Sequence, residues 1–422
     1  MPDYKKKRFG RSIPPPKKRG RETAKSDDII MSSSDKRETE KSSMRIVKGK
    51  KLEQRRRLRA LLTFTAGVVI LCVILSLLLP VGIIESVGNL TAQFGPGSYP
   101  IELSGNETLN AIPHGGYYYV LTNSRINAIS DSGKSIYSDV LGFENPILKT
   151  SATRALVFDQ GGNAAFIYNL SKRTSSRQVD LTILTANISR CGTYAIVTQS
   201  PSYASTVSVY NKNDKLIYEW NSAEDIVNNV VLSPNGKKIA ISLLNSSNGK
   251  YSSKVYVLDF NSATPIFKEE YTDTVVYTLD STNNAGFSVV TANRHCFIKW
   301  SDYKRTEYTN EYEVSHFRAG SGRTLMVFSR ASDRADNRVV VLSSSGNKEA
   351  EFNFSGIISD ISLSGGHIYC ISDTTVFLLD EQGKTIRKAD CGFGGVRLAV
   401  LSTYTVAVIT DHKIERIKLK SD

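Results

Sequence analysis

The chain is short of the residues that usually carry chemistry. Its five cysteines include no C-x-x-C pair, which excludes the common zinc and thiol-redox motifs. Cys72 lies inside a long apolar run, and Cys191, Cys296, Cys370 and Cys391 are too sparse for a disulfide scaffold. These four read as small buried side chains, with a single bridge left open. Histidine is as scarce. His114, His295, His316, His367 and His412 form no H-E-x-x-H and no paired metal spacing, and they read as structural. No G-x-S-x-G is present. Ser130, Asp131, Ser132 and Gly133 approach the S-x-D-x-G-x-x-W box of sialidases, but the spacing is wrong and the Trp is missing. No catalytic, cofactor-binding or metal-ligating residue is expected, and the chain reads as a non-enzyme without a cofactor.

An excess of one charge is missing from most of the chain as well. The net +13 sits wholly in residues 1–59, which hold 21 of the 54 Lys+Arg and 8 of the 41 Asp+Glu. The remainder carries 33 of each and is neutral, so nucleic acid is not the expected partner.

What is present is one uncharged run of nineteen residues, LLTFTAGVVILCVILSLLL, from Leu61 to Leu79. As a helix rising ~1.5 Å per residue it covers roughly 30 Å of hydrocarbon. It exceeds the apolar core of a cleaved signal peptide, and no A-x-A site follows it. The reading is an uncleaved signal anchor. Residues 1–58 form a basic cytoplasmic tail, too poor in apolar groups to order itself. Residues 59–84 form the transmembrane helix, 85–98 a linker, and 99–422 an extracytoplasmic domain. Basic flanks stay on the cytoplasmic side, and residues 85–107 hold three acidic residues and no basic one. Lys48, Lys50, Lys51, Arg55, Arg56, Arg57 and Arg59 would then lie against anionic lipid of the inner leaflet. Each contributes about 1 kcal/mol before screening.

Beyond the run, no amphipathic helix of useful length occurs. Short runs rich in Val, Ile, Tyr and Phe, broken by Gly, Asn, Asp and Ser, predict strands. Their starts fall at Tyr117, Ala155, Tyr194, Lys238, Gly286, Thr324, His367 and Thr405, in steps of 38 to 48 residues. A period near forty with about four strands per unit predicts an all-β fold, a β-propeller of eight blades. Seven is the rival count, should two units merge. Insertions are expected as loops between second and third strands, at 245–253 and 331–337. The last unit lacks a fourth strand, while YPIELS, from Tyr99, precedes the first. Pairing the two would latch the ring and leave no open edge. Tyr203 and Tyr251, in loops, are the aromatics placed to meet a partner.

Two turn patterns carry a resemblance. Ser233–Pro234–Asn235–Gly236–Lys237 resembles the SPDGK turn of WD40-like and TolB-like propellers. INAISDSGKSIY, from Ile126, and VFLLDEQGKTI, from Val376, resemble the A-x-D-x-x-T-G-K-x-x-W repeat of quinoprotein (PQQ-like) propellers. They lack its Thr and its docking Trp. The whole layout resembles a family of membrane-anchored propellers of Gram-positive anaerobic bacteria, classed as a domain of unknown function. The resemblance implies a fold and a location, and no activity. A quinone dehydrogenase would be expected to show adjacent cysteines, which are absent. The expected role is a scaffold at the cell envelope, binding a protein, peptide or wall polymer. The alternatives are an envelope glycan- or peptide-cleaving enzyme with a funnel active site, and a transmembrane sensor.

Overall fold

In the computed structural model the described residues are 57–58, 60–67, 92–104, 107–151, 154–247, 249–281, 285–320, 322–392 and 394–421. They fall into two units that divide after Leu77. In the first, Arg57, Leu58 and residues 60–67 are helical. Leu58, Leu61, Leu62 and Phe64 are exposed there. Lys48, Lys50, Lys51, Arg55, Arg56 and Arg59, and the apolar run from residue 68 to Leu79, lie outside the described residues. No helix among the described residues is long and apolar enough to cross a membrane.

The second unit is all-β. Eight antiparallel sheets of four strands follow one another along the chain. This is the eight-bladed propeller, and each blade runs from an inner strand outward. The second strands, such as Tyr117–Thr122 and Tyr194–Thr198, are buried along their whole length. They are packed on both faces by neighbouring blades, so they read in sequence as unbroken apolar runs. Outer strands, such as Ser135–Val140, alternate between exposed and half-buried and have no such run.

Two expected loops are hairpin arms instead. Lys238–Ser247 pairs with Lys250–Asp259 to its tip, and Arg323–Arg330 with Asp333–Leu342. Cross-strand hydrogen bonds satisfy the inserted backbone, which a free loop would leave to water. The latch forms, in a shorter version than expected. Ile101 pairs with Ile414 and Glu102 with Lys413, and the Leu103 N–H donates to the His412 carbonyl at 2.7 Å. Ile101–Glu102 is thereby the outer strand of the eighth sheet.

The core is divided rather than single. Eight apolar clusters each fill the seam between two neighbouring blades. Inner strands pair on one side only, and polar contacts reach across to the next blade. The Asn187 side chain accepts from the Leu232 N–H, and Asn228 and Asn229 donate to the Val276 carbonyl. The Val314 N–H donates to the Ala292 carbonyl, and Arg397 to the Leu109 carbonyl.

Each meander places its connections at two ends. The upper rim collects the turns between second and third strands and the connections from one blade to the next. The lower rim collects the turns between inner and second strands and between third and outer strands.

Candidate functional site

The eight inner strands enclose a central cavity of about 860 Å³, which continues to the lower rim at Gly116, Ser189 and Pro234. Much of its lining is apolar, with Ile112, Leu148, Ile188, Val231, Leu279 and Leu363 from six blades. Its charged lining comprises Asp131 and Arg190 toward the lower mouth and a waist made by Lys149 of blade 2, Asp280 of blade 5 and Arg318 of blade 6. Arg318 donates to Asp360 at 2.8 Å, and the second oxygen of that buried carboxylate accepts the Leu398 N–H at 2.9 Å. One acid thus ties blade 6 to blade 8. Asp280 is surrounded by protein, and this burial raises its pKa, while Lys149 and Arg318 pull it back. The arrangement sets an acid among cations. Paired carboxylates of a glycosidase would instead face each other across a substrate. The other carboxylate lining the cavity, Asp131, lies at the lower mouth, where burial lifts its pKa to about 6. No group of His, Cys, Asp and Glu suited to a metal occurs among the described residues.

The upper rim has a different character. A cavity of about 380 Å³ opens on it, shares Lys149 with the central one, and is bordered by Gln160, Asn229 and Tyr277. The rim connections contain no Lys or Arg among the described residues, but the two hairpin arms bring Lys250, Arg330 and Arg334 to the same rim, where Lys250 pairs with Asp273 at 3.0 Å and Arg330 with Asp336 at 2.8 Å. Glu107, Glu144, Asp180, Glu224, Asp225, Asp273 and Glu311 lie in the connections between blades. Asp373 and Asp411 lie in the turns between second and third strands. Most are exposed. Asp225 is the buried exception. Burial acts to raise its pKa, but hydrogen bonds from Lys254 and Asn245 outweigh this and hold it below the usual carboxylate range. Tyr203, Tyr251 and Tyr277 stand on the same rim, 47%, 56% and 56% exposed. The first two are the aromatics singled out in the sequence.

The other residues singled out are scattered. His295 is fully buried against Ser288 at 2.9 Å, and burial lowers its pKa to about 4. His114 stacks on Tyr117 and is likewise held to about 4 by burial. Burial also lowers the pKa of His316. His367 opens a second strand and His412 an upper turn. Cys296, Cys370 and Cys391 are buried, whereas Cys191 is exposed on a lower turn, contrary to the expectation of four buried thiols. Its Sγ makes contacts with Ser189 and Thr193, the partners a tight turn provides. Cys72 lies outside the described residues.

Sequence reasoning missed Lys149, Asp280, Arg318 and Asp360. A signal existed for three of them: Lys149, Asp280 and Asp360 are lone charges inside inner strands, as in PILKT, TLD or ISDISLS, whereas Arg318 shares EVSHFRAG with Glu313.

Among solved structures, the crystal structure of BamB from Moraxella catarrhalis is similar at a TM-score of 0.49 and 12% identity, over 76% of this chain and 99% of that one. Hydrazine synthase of Kuenenia stuttgartiensis is similar at a TM-score of 0.42 and 10% identity, over 78% and 100%. No curated protein matches the sequence. A family model does match, over residues 98–419, and by that match the chain belongs to DUF5711, a family of unknown function.

Proposed function

We propose that the protein is a membrane-anchored, extracytoplasmic binding module without catalytic activity, which takes a cationic protein, peptide or wall-polymer partner on its upper rim. The observation that carries this reading is the set of connections on the rim, which hold Glu107, Glu144, Asp180, Glu224, Asp273 and Glu311 and no Lys or Arg among the described residues, so that acids outnumber the Lys250, Arg330 and Arg334 of the two hairpin arms on the rim where Tyr203, Tyr251 and Tyr277 are exposed. An excess of one sign steers an oppositely charged partner, and tyrosine adds contact area at little entropic cost. The anchor is supported by the uncharged run from Leu61 and by the uncovered Leu61, Leu62 and Phe64 of its first helical turns. The non-catalytic reading is supported by the waist, where Asp280 meets two cations rather than a second carboxylate.

The test uses the full-length protein in vesicles, titrated with a lysine-rich peptide containing aromatic residues and with its glutamate-rich counterpart. The lysine-rich probe should bind, weaken with salt, and lose roughly tenfold in affinity when Glu144, Asp180, Glu224 and Asp273 are changed to Gln or Asn. Equal binding of both peptides would overturn the reading. Protease added to intact cells should destroy an epitope at the C-terminus and spare one at the N-terminus.

A further inference from the structure

The segment that leads into the propeller is fastened to the lower rim. Lys134, in a lower turn of blade 1, donates from Nζ to the carbonyls of Ala92 and Phe94 at 3.0 and 2.7 Å. Ser132 donates to the Gly95 carbonyl at 3.2 Å. Gly97 lies so close to this turn that a Cβ there would stand 2.1 Å from the Lys134 nitrogen. The Tyr99 and Tyr118 hydroxyls meet at 3.0 Å. The chain therefore arrives on the lower side at blade 1, held by side chains rather than hanging free.

That rim is basic. Lys172, Lys212, Lys215, Lys304, Lys384 and Lys420 are exposed in or beside its third-to-outer turns, and Arg190 and Lys237 in its inner-to-second turns. Among the described residues none of these side chains has an ion-pair partner. The acids of the same turns, Asp131, Asp214, Asp302, Asp380 and Glu381, are fewer than the cations, and all but Asp131 are engaged. Asp302 and Asp380 accept backbone N–H groups of their own turns, Asp214 accepts from Ser175 and Tyr194, and Glu381 pairs with Arg323. Apolar groups stand between the cations. Phe94 is 68% exposed on the fastened segment, and Leu216 and Ile217 follow Lys215.

We infer that the lower rim seats on an anionic bilayer surface, through its unpaired lysines and the apolar residues among them. The inference rests on the membrane anchor proposed above. Twelve residues lie between Leu79 and Ala92, a span of at most about 45 Å when extended, so the tether holds the rim within reach of the surface. Exposed cations interleaved with apolar groups suit an anionic headgroup layer. The acidic upper rim would be repelled from the same surface and left facing outward.

Cys191 supplies the probe, since it is exposed on the lower rim of blade 3 while Cys296, Cys370 and Cys391 are buried. The full-length protein, with Cys72→Ser, is labelled at Cys191 with a fluorophore and reconstituted into phosphatidylcholine vesicles with or without phosphatidylglycerol. Headgroup-borne quenchers should quench Cys191 roughly threefold more in the anionic vesicles at low salt. Combined Lys172→Glu, Lys212→Glu, Lys215→Glu and Lys420→Glu changes should abolish that difference, with the melting temperature confirming that the variant folds. A label at Tyr203→Cys, in a Cys191→Ser background, should not respond. Quenching at Cys191 that ignores lipid charge, or that is stronger at Tyr203→Cys, would overturn the inference and leave the anchor standing. Release of the protein from the vesicles by alkaline carbonate would remove the anchor and the seating together.

Discussion

The seam between blades 8 and 1 and the seam between blades 5 and 6 join the same kind of sheet in different ways. The first is mainly aliphatic, with Leu103, Val120, Ala399, Ile409 and Ile414 in its cluster around one buried ring, Tyr118. It is stitched by Arg397 to the Leu109 carbonyl and by Thr108 to Asp411 and the Thr410 carbonyl. The second has the smallest buried cluster, Val290, Met326, Phe328, Val340 and Leu342, against an inner strand of three residues, Thr278–Asp280. It relies on rings and charge. Tyr308 packs on Phe328, His295 stacks on Phe317, and Tyr312 lies under Arg330 and Arg338. Both seams are crossed by the chain, and for the first this is the work of the latch. Because Ile101–Glu102 belongs to blade 8 and continues into blade 1, the break in the chain is moved out of a seam and into a sheet. There backbone hydrogen bonds hold it.

Truncation at the thin seam should be the most damaging change. Phe328→Ala removes a fully buried ring from the smallest cluster and should cost about 4 kcal/mol in denaturant unfolding. A loss below that of an average exposed site would show that the rings are not what joins blades 5 and 6. Leu103→Ala acts on the latched seam. It should cost about 2.5 kcal/mol, toward the low end for leucine, and speed amide exchange along Lys413–Lys418. Unchanged exchange there would mean that the strand does not need its partner.

Acid should open the thin seam through His295. Its folded pKa of about 4 lies below the ordinary 6.5, so between these values the unfolded chain binds more protons. The stabilisation is complete above 6.5 and is lost as pH falls toward 4, about 2 kcal/mol of it by pH 5. His114 should lose a similar amount. His295→Gln should therefore flatten the acid slope by about half, and an unaltered slope would assign the effect elsewhere. The smallest change expected is Arg338→Ala, which removes partly exposed ion pairs to Glu311 and Glu351 and a ring contact and should cost about 1 kcal/mol.

The period of the propeller was legible because each blade buries its second strand on both faces, and such strands advertise themselves as apolar runs. The latch was legible from an incomplete last unit. The hairpin arms were not. Asn245 and Ser246 carry no alternation that separates a paired arm from a loop, and pairing there is decided by the strand opposite. The waist was hidden for another reason. Lys149, Asp280 and Arg318 belong to blades far apart in the chain, and only ring closure brings them to one place. The acidity of the upper rim could have been counted in advance, had the connections been sorted by the end of the sheet at which they lie.

The latch also orders events in time. Ile101 is made 313 residues before its partner Ile414, and at 5–20 residues per second roughly 15–60 s separate them during synthesis. Until then the outer strand of the final blade has nothing to pair with, and every completed blade leaves the growing stack open at its leading edge. Contacts of such sequence separation are the slow ones to form, since loop closure must be met before they stabilise anything. A ribosome stalled before Lys413 and Ile414 are made would hold a curved stack with two free ends, rather than a smaller ring.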